Sequence, residues 1–388
     1  MKIDSSVELK RVHGKEIVDY LRKEKRVTKK VMAEELNLSF ATVSNICNEM
    51  REKGYILEEA KEDTKVVGRT PKTISIQYEN LLSLCPDLTR FGWIRVCVLD
   101  YGNQMVFDEK FAYEKDCDVE AIVNLCREIY EEQVLDTFQE WQIIGVGVAV
   151  PGIFEKKTHH IVSSEIEMFN NQPMKEMLSE ALKKTVYVDN ESNLCVLSEY
   201  MQKRHGQEQE NLIYIFADEG LGIGVVANGN LICGSRGYAP EICHMPIGNP
   251  QMKCHLCGNY GCVESDLRIQ GYVEKYRLYT GKELKSYGEF LNLIKEKDPE
   301  AGKVLTENGE IFGRLLSILN NIFNPDCILI GGGTTETLKI CLQTSIEEMK
   351  TRMLVAEEDL PQIYLDEESS TTMVKGASEM VFSKWMPI

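Results

Sequence analysis

One histidine and three cysteines are the residues of this 388-residue sequence whose types and spacing most clearly suit chemistry. His244 is followed by Cys254, Cys257 and Cys262 in the segment EICHMPIGNPQMKCHLCGNYGCVE, and two glycines between the last two cysteines let the chain fold back around an ion. Three thiolates and an imidazole suit tetrahedral zinc. Because four protein ligands leave no open position, we predict a structural zinc site, with His255 as a spare ligand that could replace Cys254. Three free thiols are the alternative interpretation.

The composition indicates the cellular compartment of the protein. Thirteen cysteines and an N-terminus without an apolar core favour a reducing compartment over a disulfide scaffold. The longest apolar runs are short and interrupted by glycine, well below the roughly 20 residues that a membrane span needs. We therefore predict a cytoplasmic protein that does not contact the membrane.

The charge is divided unevenly along the chain. The whole sequence has a formal charge of −17, but residues 1–79 carry 16 basic and 14 acidic residues, whereas the remainder carries 28 and 47. The length allows two or three domains. We predict one domain at 1–80 and a second at 81–388.

The first eighty residues have the pattern of a helix-turn-helix. Thr28 and Ser39 are placed to cap a second and a third helix, and the third has apolar residues at Val43, Ile46 and Met50. The runs YILEE and TISIQY then predict two strands of a wing. A winged helix-turn-helix places its third helix in the major groove of DNA.

The third helix and the wing supply the predicted DNA-contacting side chains. Those of the helix are small, polar or short, and suit phosphates and base edges, whereas an arginine at the wing tip suits a narrow minor groove. The predicted residues are Ser39, Ala41, Thr42, Ser44, Asn45, Asn48 and Arg69. An ordinary three-helix module with a solvated basic face is the alternative. Because the net charge of this region is only +2, we expect two copies to bind DNA together, in a homodimer or homotetramer.

From about residue 81 the pattern changes to apolar strands alternating with helices, which is typical of an α/β domain. WIRVCVLDY, IIGVGVAVPG and CILIGGG predict strands, and MVKGASEMVFSKWM predicts a terminal helix. NLIYIFAD and IGVVANGNLI predict a hairpin that turns at Asn228, Gly229 and Asn230.

Several segments together resemble the ROK family, and specifically its transcriptional regulators with an N-terminal winged helix. The matching segments are TVSNICNEMREKGYILEE, GRTP, PGIF, VDNESN, EICH, CGNYGCVE and NPDCILIGGG. The resemblance implies an actin-like, ribonuclease H-like α/β fold of two lobes with a sugar bound between them. We expect lobe one at about 81–188 plus the C-terminal helix, and lobe two at about 189–371.

The resemblance also implies which residues contact the sugar. It places hydroxyl contacts on Asn190, Glu241, His244 and Glu264, and it places Glu191 where the family's kinases carry an aspartate as general base. Glu191 is one methylene longer than aspartate, which misplaces a base.

The first phosphate loop of the kinases also differs here. In that family it reads Asp-x-Gly-x-Thr, whereas this sequence has Asp87-Leu88-Thr89-Arg90-Phe91. We therefore predict a non-enzymatic repressor of carbohydrate-utilisation genes whose cleft senses a sugar or sugar derivative. An ATP-dependent sugar kinase with an accessory DNA-binding domain is the alternative, and a regulator controlled by a protein partner is a third.

Overall fold

The computed structural model describes residues 6–60, 72–202, 209–354 and 359–388. Four sheets organise these residues: a three-stranded sheet near the N-terminus, two five-stranded sheets that follow it in the chain, and a two-stranded sheet. The predicted α/β fold with an N-terminal winged helix is confirmed.

The N-terminal unit, called here the winged-helix head, comprises the described residues up to Ile76. Its helices are α1 (Ser6–Glu24), α2 (Lys29–Glu35) and α3 (Phe40–Glu52), and its strands are β1 (Arg26–Val27), β2 (Ile56–Ala60) and β3 (Lys72–Ile76), in the order β1-β3-β2. Both predicted caps are confirmed. Thr28 accepts a hydrogen bond from the backbone N–H of Val31 at 3.3 Å, and Ser39 accepts one from Thr42 at 3.0 Å.

The head departs from the sequence pattern in two places. Val31 is 41% exposed, although its position in the apolar pattern of α2 predicts burial; Met32 and Ala33 are the buried residues of that helix. The short strand β1, which pairs antiparallel with β3, was not predicted. Two residues are too few for a period-two pattern to stand out.

Lobe one follows the head. Its strands are β4 (Leu82–Asp87), β5 (Trp93–Asp100), β6 (Met105–Ala112), β7 (Ile143–Val150), β8 (Ile153–Phe154), β9 (Ile161–Ser163) and β10 (Val186–Asn190). Its helices are α4 (Val119–Ile129), which continues through a π turn (Tyr130–Val134) into α5 (Leu135–Thr137), and α6 (Met174–Leu182). The main sheet has the order β10-β7-β4-β5-β6, and β4, β7 and β10 run parallel.

Lobe two follows lobe one in the chain. Its strands are β11 (Leu212–Ala217), β12 (Leu221–Ala227), β13 (Asn230–Leu231), β14 (Cys327–Gly331) and β15 (Gln362–Asp366). Its helices are α7 (Glu191–Gln202), α8 (Val263–Leu267), α9 (Ile269–Thr280), α10 (Tyr287–Lys295), α11 (Pro299–Phe323) and α12 (Thr335–Lys350). The sheet order is β13-β12-β11-β14-β15. The terminal helix α13 (Ser369–Lys384) follows.

The predicted hairpin needs a correction. The turn at Asn228 and Gly229 joins β12 to the two-residue strand β13, whereas β11 and β12 are joined by residues 218–220. The Asn-Gly signal fixed the position of a turn, but not which strands it connects.

Two helices, α7 and α13, pack between the lobes. A β-carbon built at Gly376 in α13 would overlap the carbonyl oxygen of Leu194 in α7, so only glycine allows the two backbones to touch. A hydrophobic core of residues from both sheets and both helices surrounds this contact. The predicted boundaries at 80/81 and 188/189 stay predictions. Within the described part of the chain, none of the helices has the length and apolar character to cross a bilayer.

Candidate effector cleft, metal centre and DNA-binding surface

The predicted metal ligands converge on one point. One donor atom from each of His244, Cys254, Cys257 and Cys262 lies within 4.8 Å of the other three. The Sγ atom of Cys254 is 3.6 Å from Nδ1 of His244, and the Sγ atoms of Cys257 and Cys262 are 3.5 Å apart. Four donors bound to one zinc ion at about 2.0–2.3 Å lie at separations of this size. The donor set therefore fits a tetrahedral ion.

Short backbone contacts shape this segment, residues 244–262, called here the Cys/His tract. The backbone N–H of Cys254 donates to the carbonyl oxygen of Asn259 at 2.7 Å, and that of Gly258 donates back to Cys254 at 3.0 Å. Gly258 and Gly261 have φ values of 74° and 79°, which favour glycine. Together these contacts close a tight loop that turns both ends of the CHLC segment toward His244.

His255 is not part of this four-residue group. Its Nε2 lies 3.4 Å from Oε1 of Glu165, a residue of lobe one. That ion pair raises the pKa of His255. Cys254, in contrast, is fully buried among the other donors. The geometry thus favours Cys254 over His255 as the fourth ligand.

Two of the predicted sugar contacts, Glu241 and Glu264, lie beside His244, the third, which belongs to the tract. The Oε2 atom of Glu264 is 3.5 Å from Nδ1 of His244, and the Oε2 atom of Glu241 is 3.9 Å from Nε2 of the same ring. Burial raises the pKa of Glu241 to about 7. Two carboxylates therefore flank one imidazole, whose second nitrogen stays available to a ligand.

Asn190 and Glu191 lie at the junction of β10 and α7. The Oδ1 atom of Asn190 accepts a hydrogen bond from the backbone N–H of Asn193 at 2.9 Å, so this side chain caps α7 while its amide group remains available. Burial, and then the charges of Glu165 and Asp87, raise the pKa of Glu191 to about 8.

Glu165 links these residues to the tract, and sequence reasoning did not select it. A β-carbon at Gly220 would overlap Oε1 of Glu165 and would lie 3.6 Å from Oε1 of Glu264. Glu165 therefore faces Glu264 across Gly220. The signal in the sequence was weak, because Glu165 is separated from the tract by about eighty residues and lies in a loop.

The predicted phosphate loop makes contacts within the chain. The backbone N–H and the hydroxyl of Thr89 donate to Oδ1 of Asp87 at 2.9 and 2.6 Å. Arg90 forms an ion pair with the buried Asp218, at the end of β11 in lobe two. The loop thus joins the two lobes through a guanidinium group.

The predicted DNA contacts on α3 lie on the surface of the head. Ser39, Ala41 and Asn45 are exposed, and Thr42, Ser44 and Asn48 are half-buried. Three have partners: Thr42 and Ser39 share a 2.8 Å hydrogen bond, and Asn48 accepts one from Lys29 at 3.3 Å. Arg69 lies outside the described residues.

The head is docked on the body through α13. The guanidinium group of Arg22 donates two hydrogen bonds, of 2.8 and 2.7 Å, to Glu379, whose side chain is 1% exposed. The Arg22 guanidinium also lies 4.7 Å above the ring of Tyr101, which packs edge-on against Phe382 at 4.7 Å. Tyr101 and Phe382 belong to a hydrophobic core that also contains the buried apolar residues of the head.

Comparisons with known proteins agree with this architecture. The ROK family model matches residues 92–383, and a winged helix-turn-helix DNA-binding model matches residues 13–56.

Two relatives extend over most of the chain. The xylose repressor of Caldicellulosiruptor bescii is 25% identical over 97% of this chain and 96% of its own length. The DNA-binding transcriptional dual regulator NagC of Escherichia coli is 25% identical over 84% of this chain and 81% of its own.

Among solved structures, a ROK family transcriptional regulator, a homologue of the E. coli MLC protein, has a TM-score of 0.81 at 20% identity, covering 96% of this chain and 97% of that one. A ROK glucokinase from Streptomyces griseus has a TM-score of 0.63 at 20% identity, covering 77% and 98%. At these identities the likeness concerns the fold.

Proposed function

This chain belongs to the ROK family, and on that premise we propose that it is a DNA-binding transcriptional repressor controlled by a sugar bound in its cleft. The docking of the winged-helix head onto α13, the helix that also packs against α7, is the observation that carries this proposal. A repressor acts on chromosomal DNA, so we also propose a cytoplasmic location.

The cleft supports a neutral sugar as effector. Glu165, Glu191, Glu241 and Glu264 supply carboxylates, which form paired hydrogen bonds with neighbouring hydroxyl groups. Those carboxyl groups that stay ionised would oppose an anionic ligand. Xylose and N-acetylglucosamine, for which two relatives are named, are the first candidates to test.

A zinc ion held by His244, Cys254, Cys257 and Cys262 would be structural, since all four positions belong to the protein. With Nδ1 of His244 on the side of the cysteines, Nε2 is directed toward Glu241. The ion would thus fix the orientation of an imidazole that contacts the sugar.

The effector signal would pass through α7 and α13. Asn190 caps α7, α7 touches α13 at Gly376, and α13 holds the head through Glu379. A sugar that binds one lobe arrangement more tightly than another would shift this stack of helices, and with it the two heads of a dimer on a two-fold operator.

We further propose that the cleft does not transfer phosphate. Phosphoryl transfer depends on positioning and on charge stabilisation around the phosphates. Arg90 instead pairs with Asp218, and Glu191 is held where burial favours its protonated form. An accessory kinase activity would require both groups to rearrange.

Fluorescence anisotropy with DNA from upstream of the chain's own operon tests the function. We expect saturable binding at moderate salt, and a change in affinity with one of xylose, N-acetylglucosamine or glucose. Glu241→Gln should keep the DNA affinity and weaken the sugar response, whereas Glu180→Gln, on the surface of α6, should change neither. Absence of specific DNA binding would overturn the proposal, and ATP-dependent phosphorylation of a sugar at enzymatic rates would overturn the non-enzymatic part.

A further inference from the structure

A second cavity, of about 130 Å³, lies outside the cleft. Its polar lining is mainly basic, with Lys156, Lys175, Lys384 and His159, and Phe154 and Tyr187 contribute aromatic walls. We call it the lysine pocket. Three lysines around one small cavity are unexpected in a chain whose formal charge is −17.

Two of the three ammonium groups have no carboxylate partner among the described residues. Lys156 is paired with the buried Asp189 at 3.0 Å. Lys175 instead lies 3.3 Å from Nε2 of His159, and Lys384 lies 4.6 Å from the ring centroid of Tyr187.

The remaining acidic group at the pocket does not cancel this charge. Glu176 is 2.6 Å from Nδ1 of His159. If that nitrogen carries the proton, Nε2 is left to accept from Lys175, which keeps its own charge. Desolvation, and then the charge of Lys156, lower the pKa of Lys384, while the carboxylate of Asp189 opposes this shift. The pocket therefore has surplus positive charge.

We propose that the lysine pocket binds the phosphate group of a small molecule. The cavity has room for a phosphate group, and the two ammonium groups without a carboxylate partner supply charge-assisted hydrogen bonds to it. The aromatic walls suit the apolar face of an attached ring. Inorganic phosphate and a phosphate ester share this chemistry.

The lysine pocket lies next to segments that lead to the cleft and to the head. Asp189 immediately precedes Asn190, which caps α7, and Lys384 immediately precedes Trp385, which packs against Tyr55 of the head at 5.2 Å. A bound phosphate would therefore touch both the strand that leads into the cleft and the helix that carries the head. The inference goes beyond the proposed function, because the binding itself requires neither DNA nor a sugar.

Isothermal titration of the full-length protein with sodium phosphate, against sodium chloride at equal ionic strength, tests the inference. We expect saturable phosphate binding that Lys175→Gln and Lys384→Gln each weaken about tenfold or more, which is the effect of losing one hydrogen bond to a charged group. Lys303→Gln is the matched control, since Lys303 lies over the ring of Tyr279 at the same 4.6 Å distance. It should bind phosphate as the unaltered protein does.

Titrations with glucose 6-phosphate and with glucose distinguish a phosphate ester from the free phosphate ion as the ligand. Tighter binding of glucose 6-phosphate than of phosphate, lost in both lysine variants, would identify an ester; equal binding would identify the free ion. No saturable phosphate binding, or binding that survives both substitutions in folded protein, would overturn the inference. Operator affinity that falls in both variants without any phosphate binding would likewise overturn it and would assign the lysines to the DNA backbone.

Discussion

The winged-helix head and the Cys/His tract place side chains for recognition by different physical means. The head packs around a hydrophobic core that includes Ile17, Leu21, Met32, Ile46 and Ile74, all at most 1% exposed, and that a few body residues complete. The described residues of the tract form turns and one isolated bridge, between Lys253 and Tyr260, with few buried apolar side chains. Apolar burial stabilises the head, whereas the tract has little apolar surface to bury, so we expect its order to depend on a metal ion bound by its four donors.

Removal of the metal should have the largest effect, and this effect should distinguish the tract from the head. Cys262→Ser, or a strong chelator, should lower the melting temperature of the body and abolish the sugar response, because a structural zinc ion contributes about 10 kcal/mol or more in small zinc domains. Differential scanning calorimetry with metal analysis measures this. Cys126→Ser, which alters a buried thiol in the hydrophobic core of lobe one, should keep the metal. A zinc stoichiometry near zero in the purified protein would remove the basis of the comparison.

Loss of Glu379 tests whether the head also depends on a buried charge. Glu379→Ala leaves the Arg22 guanidinium without its carboxylate, so we expect the free energy of unfolding to fall by about 2–3 kcal/mol, less than for a fully buried pair because Arg22 is 22% exposed. Urea denaturation measures the change. Glu283→Ala, which breaks an exposed pair with Arg277, should cost close to nothing. Equal losses in both variants would contradict the docking role of Glu379.

Asn45→Ala should affect DNA binding without affecting stability. Asn45 is exposed on α3, so its loss should weaken operator binding by about 1–2 kcal/mol, roughly tenfold, while the melting temperature stays the same. Asn124→Ala, on exposed helix surface of lobe one, is the control for anisotropy titrations. Unchanged operator affinity would mean that α3 does not read bases through this residue.

The last prediction concerns the pH dependence of the cleft. The pKa of Glu191 is raised from 4.5 to about 8, so the folded protein favours the protonated carboxyl. The stabilisation that follows is fully present below pH 4.5 and is lost as the pH rises through 8. Glu191→Gln should therefore reduce the fall in melting temperature between pH 5 and pH 8.5, whereas Glu180→Gln should not. If the melting temperatures of Glu191→Gln and of the unaltered protein changed identically with pH, the pKa of Glu191 would not be raised.

Local patterns predicted the elements of the head because each signal involves neighbours in the chain. A hydroxyl at Thr28 or Ser39 caps the helix that follows it within three residues, and Val43, Ile46 and Met50 repeat at the helical period. The exposure of Val31 was the exception, since the edge of an apolar stripe is decided by what packs against it.

The tract was predictable for a similar reason. Its four donors lie within nineteen consecutive positions, so spacing alone limits how they can meet. The choice of Cys254 over His255 was open in the sequence, because adjacent residues have the same reach; the fold separated them by pairing His255 with Glu165.

The sequence by itself determined the order of the domains, the helix caps, the third helix of the head and three of the four tract donors, His244, Cys257 and Cys262, since all of these depend on short-range geometry. Only the tertiary structure decided the contacts that join distant segments: Arg22 with Glu379, Arg90 with Asp218, Glu165 with His255, and the three lysines around one pocket. Their partners come from different strands and helices, and no local pattern specifies which of these meet once the apolar faces of α7 and α13 are buried between the two sheets.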